Sequence, residues 1–159
     1  QYLTAGGIFR PRFLETQVRV GQRAPNFIFE YSPGHETTLR KVSGRQCVLV
    51  FWKASSHPSL ETLANLREVY RPLGARAPLL LAIDGGADSE AAAVMASGEG
   101  SSVIVVGDPD YQISRAYGVD IWPTTVALDA QGIVTDLRYG LISKEQTKLP
   151  YAPATRSIR

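Results

Sequence analysis

The sequence predicts an α/β fold: a mixed central sheet flanked by helices, with an added N-terminal β-hairpin. Three observations carry this. Cys47–Trp52 is an unbroken apolar run with the length and β-branched content of a buried strand. After a break at Lys53-Ala54-Ser55-Ser56-His57-Pro58, Leu60, Leu63, Leu66, Tyr70 and Leu73 recur at three- and four-residue spacing, the buried stripe of a helix. The same alternation of short apolar runs and periodic segments continues downstream, which implies right-handed crossovers between strands.

Taken in order, residues 1–20 hold Tyr2, Leu3, Ile8, Phe9, Phe13 and Leu14 without a clean period. They read as an extended arm or the end of a preceding domain, too apolar for a free tail and expected to lie against the core or a partner. Phe27–Tyr31 alternates like a half-buried strand, Ser32-Pro33-Gly34 turns, and Thr37–Leu39 returns as its partner. The helix after Pro58 starts where Ser55 or Ser56 can cap and where a proline costs no hydrogen bond. Pro78–Ile83 is a second apolar strand, ending at Asp84-Gly85-Gly86. Ser89–Ala96 reads as an Ala-rich helix with Glu90 in its first turn. Ser102–Val106 is a third strand, and Asp108-Pro109-Asp110 turns into a short helix, Tyr111–Tyr117, closed by Gly118. Val126–Leu128 and Ile133–Tyr139 form the last two strands around Asp129-Ala130-Gln131-Gly132, and the chain after Lys144 reads as irregular.

Four motifs in this order resemble a known family. Gly21-Gln22-Arg23-Ala24-Pro25-Asn26-Phe27 is similar to the Gly-x-x-Ala-Pro-x-Phe opening of redoxin domains. The hairpin follows it. Phe51-Trp52, a short turn and Pro58 then match a strand–turn–helix segment that carries Cys-x-Pro-Cys. Val119-Asp120-Ile121-Trp122-Pro123-Thr124-Thr125 resembles the Gly-Val-x-x-x-Pro-Thr element. Residues 21–145 thus resemble the thioredoxin-like superfamily, in particular its TlpA/ResA and AhpC/TSA (redoxin) members. The resemblance implies a thioredoxin-like fold for residues 21–145, an arm before it and an irregular tail over 146–159. It also implies a cis proline at Pro123 facing the active-site turn.

The two thiol positions of that resemblance are Ser56 and Ser59, so the motif reads Ser-His-Pro-Ser. Thioredoxin chemistry needs a thiolate that attacks a disulfide and a second thiol that resolves it. Peroxidase chemistry needs a thiolate that becomes a sulfenic acid. A serine hydroxyl does neither, so no catalytic residue is expected in this chain. Trp52, Lys53, Ser55, Ser56, His57, Pro58, Ser59, Trp122, Pro123 and Thr124 are expected to form the active-site-equivalent groove.

The remaining chemistry-bearing residues have plainer readings. Cys47, the only cysteine, starts the central strand far from the turn and reads as packing. It excludes an internal disulfide and a multi-cysteine zinc site. Ser56-His57 is not a hydrolase pair, because no Gly-x-Ser-x-Gly elbow is present. His35 and His57 read as exposed, and with scattered acids they give no metal-ligand spacing. Asp84-Gly85-Gly86 and Asp108-Pro109-Asp110 read as ordinary turns. Lys53 reads as a solvated turn lysine, or else as a cation that favours an anionic or carbonyl partner.

The length of 159 residues suits one domain with a substantial core, and the net charge of +2 argues against a nucleic-acid surface. No apolar run is long enough to span a membrane. The chain begins at Gln1 rather than Met, and so reads as an excised domain or a processed product. No cofactor or metal is implied, and the expected location leans to the extracytoplasmic side.

Two functions compete. One is a redox-inactive thioredoxin-like domain that binds a protein or peptide, or packs with other domains of the same chain, as a module of a larger protein. The other is a thiol-disulfide oxidoreductase or peroxiredoxin-like enzyme in which both cysteines have been exchanged for serine.

Overall fold

The structure, a computed structural model, describes residues 18–42, 44–85 and 103–148. The expected helix Ser89–Ala96 and the arm before Val18 lie outside these residues.

A hairpin of β1 (Ile28–Ser32) and β2 (His35–Thr38) opens the fold. A four-residue helix, α1 (Leu39–Val42), follows it directly. The sequence reading ended the second strand at Leu39. Instead Thr38 Oγ1 accepts from the Lys41 N–H and Asn26 Oδ1 accepts from the Arg40 N–H, which turns the chain into a helix at that residue.

The main sheet holds five strands in the order β5-β4-β3-β6-β7: β3 (Cys47–Trp52), β4 (Leu79–Asp84), β5 (Val103–Gly107), β6 (Thr124–Leu128) and β7 (Val134–Tyr139). β3, β4 and β5 run parallel, and β6 and β7 are antiparallel to their neighbours. Every residue of β3 is buried, because this central strand is covered on both faces.

Its side chains alternate between two cores. Cys47, Leu49 and Phe51 face Phe29, Leu39, Tyr117 and Val119. Val48, Val50 and Trp52 face Leu63, Leu66 and Tyr70 of α2 (His57–Tyr70). Burying Leu63 and Leu66 stabilises this layer by about 1.5–3 kcal/mol each.

On the first face Tyr117 ties the N-terminal segment down. Its ring packs 5.2 Å from Phe51 and 6.1 Å from Phe27, and its hydroxyl donates to the Pro25 carbonyl at 2.6 Å. The Ala24-Pro25-Asn26-Phe27 motif is thereby fixed to the sheet. A short α3 (Gln112–Ala116) precedes Tyr117, shorter than the helix expected from Tyr111. After β7, where the sequence read as irregular, Lys144–Lys148 forms a last short helix, α4. Its Thr147 is buried, and Lys144 pairs with Glu68 of α2 at 2.8 Å.

Parallel strands end together. The register pairs Trp52 with Asp84 and Asp84 with Gly107, while Phe51 lies opposite Thr124 at the start of β6. The ends of β3, β4 and β5 and the start of β6 therefore meet at one end of the sheet, where open α/β sheets place their sites.

Candidate functional site

The turn after β3 is built by its own hydrogen bonds. Ser56 N–H donates to the Lys53 carbonyl at 3.0 Å and closes the turn. Ser56, in an extended conformation, is the N-cap of α2, and its hydroxyl oxygen accepts from the Ser59 N–H at 3.2 Å. The Ser56 hydroxyl also lies 3.4 Å from the Trp122 carbonyl, to which it donates. Ser59 is fully buried, and its oxygen accepts from the Lys53 N–H at 3.3 Å. Both serines thus serve the turn itself, one as helix cap and one as a buried acceptor for the backbone.

The second wall comes from the segment before β6. The Trp122–Pro123 peptide bond is cis. Thr124 is buried, and its hydroxyl donates to the Ile121 carbonyl at 2.7 Å. Gly140 N–H donates to the Pro123 carbonyl at 2.8 Å, which ties this segment to the end of β7.

The surface differs from the expected groove. Trp52, which the sequence sets at the groove but which reads chiefly as packing, is fully buried against α2, because the alternation of β3 points its side chain into the second core. Ser59, Pro123 and Thr124 are buried as well, so they support the face without forming it. Lys53, Ser56 and Trp122 are half-buried, and Ser55, His57 and Pro58 are exposed. His57 keeps a side chain 87% exposed beside Glu61, 3.9 Å away one helical turn on. Among the described residues no three His, Cys, Asp or Glu side chains converge as metal ligands.

Lys53 is not a solvated turn lysine. Its ammonium sits over the Trp122 ring, 4.0 Å from the centroid, and 5.4 Å from the Tyr111 centroid. The two rings meet edge to face at 6.1 Å. Gly85 makes room for the indole, since a Cβ there would stand 2.7 Å from Trp122 Nε1. The Gly85 N–H donates to the Trp52 carbonyl at 2.8 Å, so its backbone cannot drift from the strand end.

Asp108 is likewise no ordinary turn residue. Its buried carboxylate accepts from the Ile113 N–H at 2.7 Å, the Ser114 N–H at 2.9 Å and the Ser114 hydroxyl at 2.6 Å. It anchors the loop in which Asp110 and Tyr111 adopt left-handed φ values of 61° and 54°. Sequence reasoning missed Tyr111 and Gly85. Tyr111 reads as the first residue of a helix, and Gly85 as half of a glycine turn; only the sheet register brings both to Trp122.

Cys47 lies at the other end of β3. Burial pushes its thiol from the ordinary 9.0 up to about 12, against a smaller downward pull from Arg45. Burial, with Cys47 as a second cause, also raises the Tyr117 phenol. A thiol held protonated in a core is not a nucleophile at neutral pH.

Comparison with known proteins agrees with this architecture. The chain is similar to the thiol-disulfide oxidoreductase ResA of Geobacillus kaustophilus, 29% identical over 131 residues that cover 82% of this chain and 75% of that protein. A thiol:disulfide interchange protein from Bacteroides sp. superposes with a TM-score of 0.70 at 14% identity, over 88% of this chain and 94% of that one. A secreted Mycobacterium tuberculosis disulfide oxidoreductase homologous to E. coli DsbE gives 0.66 at 20% identity, over 78% and 92%. These structural likenesses establish the thioredoxin-like fold. The AhpC/TSA family profile matches residues 20–137, most of the chain, and the protein belongs to that family.

Proposed function

We infer that this is a redox-inactive thioredoxin-like domain that binds a protein or peptide segment, or another domain of its own chain, through the face around Trp122 and Pro123. The observation that carries this reading is that the hydroxyls of Ser56 and Ser59, the residues that the sequence resemblance sets at the two thiol positions, are each engaged in building the turn. The surrounding geometry persists without the thiols: the helix N-terminus, the carbonyl of Trp122 against it, and the exposed apolar side chains Ile121, Tyr139 and Leu141 beside Pro123. An intact face with no redox centre fits binding rather than turnover. The domain extends over about residues 21–145, and its place is extracytoplasmic. Among the described residues no helix is long and apolar enough to cross a membrane.

The kinship with ResA favours a second reading, an oxidoreductase in which both cysteines have been exchanged for serine. The chromosomal reading frame separates the two. Serine codons at 56 and 59 support the redox-inactive domain, and cysteine codons there refute it.

A further inference from the structure

Among the described residues the cation at this face has no ion-pair partner. Arg138 pairs with Asp136 and Lys144 with Glu68, His57 stands 3.9 Å from Glu61, and none of these contacts reaches Lys53. The aromatic contact attracts the ammonium but does not neutralise it, and an indole supplies no hydrogen-bond acceptor to its three donors. The ammonium of the half-buried Lys53 is therefore oriented by Trp122 and Tyr111 and left with donors to offer.

The arrangement is rigidly held. Gly85 admits the indole, and the Asp108 carboxylate fixes the loop that keeps Tyr111 at φ 54°. Backbone held in such sparsely populated conformations is sustained by its surroundings and concentrates at functional sites. Beyond Trp122 the segments flanking Pro123 carry exposed apolar side chains. Ile121 adjoins Trp122, Tyr139 lies opposite Thr124, and Leu141 follows Gly140, whose N–H is bound to Pro123; all three side chains are about half exposed. Asp110 and Asp120, next in sequence to Tyr111 and Ile121, are exposed, so water and salt screen them, and Asp84, in register with Trp52, is buried and engaged in interactions of its own.

We propose that Lys53 determines the specificity of this face by receiving the carboxylate of an Asp or Glu side chain in an extended partner peptide, whose neighbouring apolar side chains lie on Ile121, Tyr139 and Leu141. The inference rests on the reading that this face binds peptides, and adds the chemistry of what is bound.

The test is an array of immobilised short random peptides probed with the full chain and with Lys53→Met, Lys53→Arg and Trp122→Ala, each checked for native circular dichroism. The wild-type chain should select peptides that carry Asp or Glu. Changing that residue to Gln or Asn, or Lys53 to Met, should weaken binding about tenfold, and the Met variant should no longer distinguish the acid from its amide. Lys53→Arg should keep the preference, and added salt should weaken it. Selection without any acidic residue, or equal binding by wild type and Lys53→Met, overturns the proposal. If Trp122→Ala abolishes that acid-independent binding, the peptide-binding reading itself survives. An array on which the wild-type chain selects nothing overturns both.

Discussion

The Ser56 hydroxyl donates to the Trp122 carbonyl across 3.4 Å, joining the cap of α2 to the segment that leads into β6. The same oxygen accepts from the Ser59 N–H. A hydroxyl can donate and accept at once, so serine serves both partners. Ser56→Ala removes the cap and should lower stability by about 1 kcal/mol in urea denaturation, whereas Ser56→Asp keeps the acceptor for the Ser59 N–H but loses the donor to the Trp122 carbonyl and should recover only part of it. An alanine variant as stable as wild type would show that the cap contributes nothing.

Gly85 and Trp122 are coupled by contact. Gly85→Ala sets a methyl group 2.7 Å from the indole nitrogen if nothing moves. The indole must shift, at a cost of about 1–3 kcal/mol, and its fluorescence should change while the buried Trp52 reports an unaltered core. In a Trp122→Ala background the same substitution should cost much less. Equal costs in both backgrounds would mean that the contact is not what excludes a side chain at Gly85.

Asp108 accepts three hydrogen bonds at the start of α3. Asp108→Ala orphans those donors and should destabilise the protein by about 3 kcal/mol, measured by chemical denaturation. Asp108→Asn keeps one acceptor oxygen and should fall between the two. Loss of Asp108 should also release Tyr111 from Trp122, which is visible as altered tryptophan fluorescence.

Cys47 links stability to alkaline pH. Below its ordinary value of 9.0 both folded and unfolded chains keep the proton, and the full contribution is present. Between 9.0 and about 12 the unfolded thiol ionises while the buried one does not, so stability falls as pH rises through that window. Relative to Cys47→Ala, wild type should lose about 1.4 kcal/mol per pH unit there. At neutral pH a thiol reagent should label Cys47 only as fast as the chain opens. Immediate labelling of the native protein would contradict its placement in the core.

How far the sequence could be read depended on the distance between the residues involved. Cys47–Trp52 announces a buried strand from six consecutive residues, and the α2 stripe from Leu60 to Tyr70 follows a local period. The family motifs at 21–27 and 119–125 are local too, so the fold and the position of the turn were legible. The surface was not. Whether Trp52 faces a groove or the core depends on which side of the sheet α2 covers. The place of Lys53 depends on Trp122, far along the chain, and on Gly85 leaving room for its ring. The short helices at Leu39–Val42 and Lys144–Lys148 were missed because a single turn carries almost no periodicity; side-chain caps and tertiary contacts specify them.

The most direct test is a disulfide-reductase and peroxidase assay on the purified chain, run beside Ser56→Cys/Ser59→Cys. The chain with its serines should show no turnover above buffer in either assay, because no thiolate stands at the N-terminus of α2. The double-cysteine variant shows whether the scaffold can still carry thiol chemistry. Thiol-disulfide exchange or peroxide reduction by the chain with serine at both positions would contradict the redox-inactive reading outright.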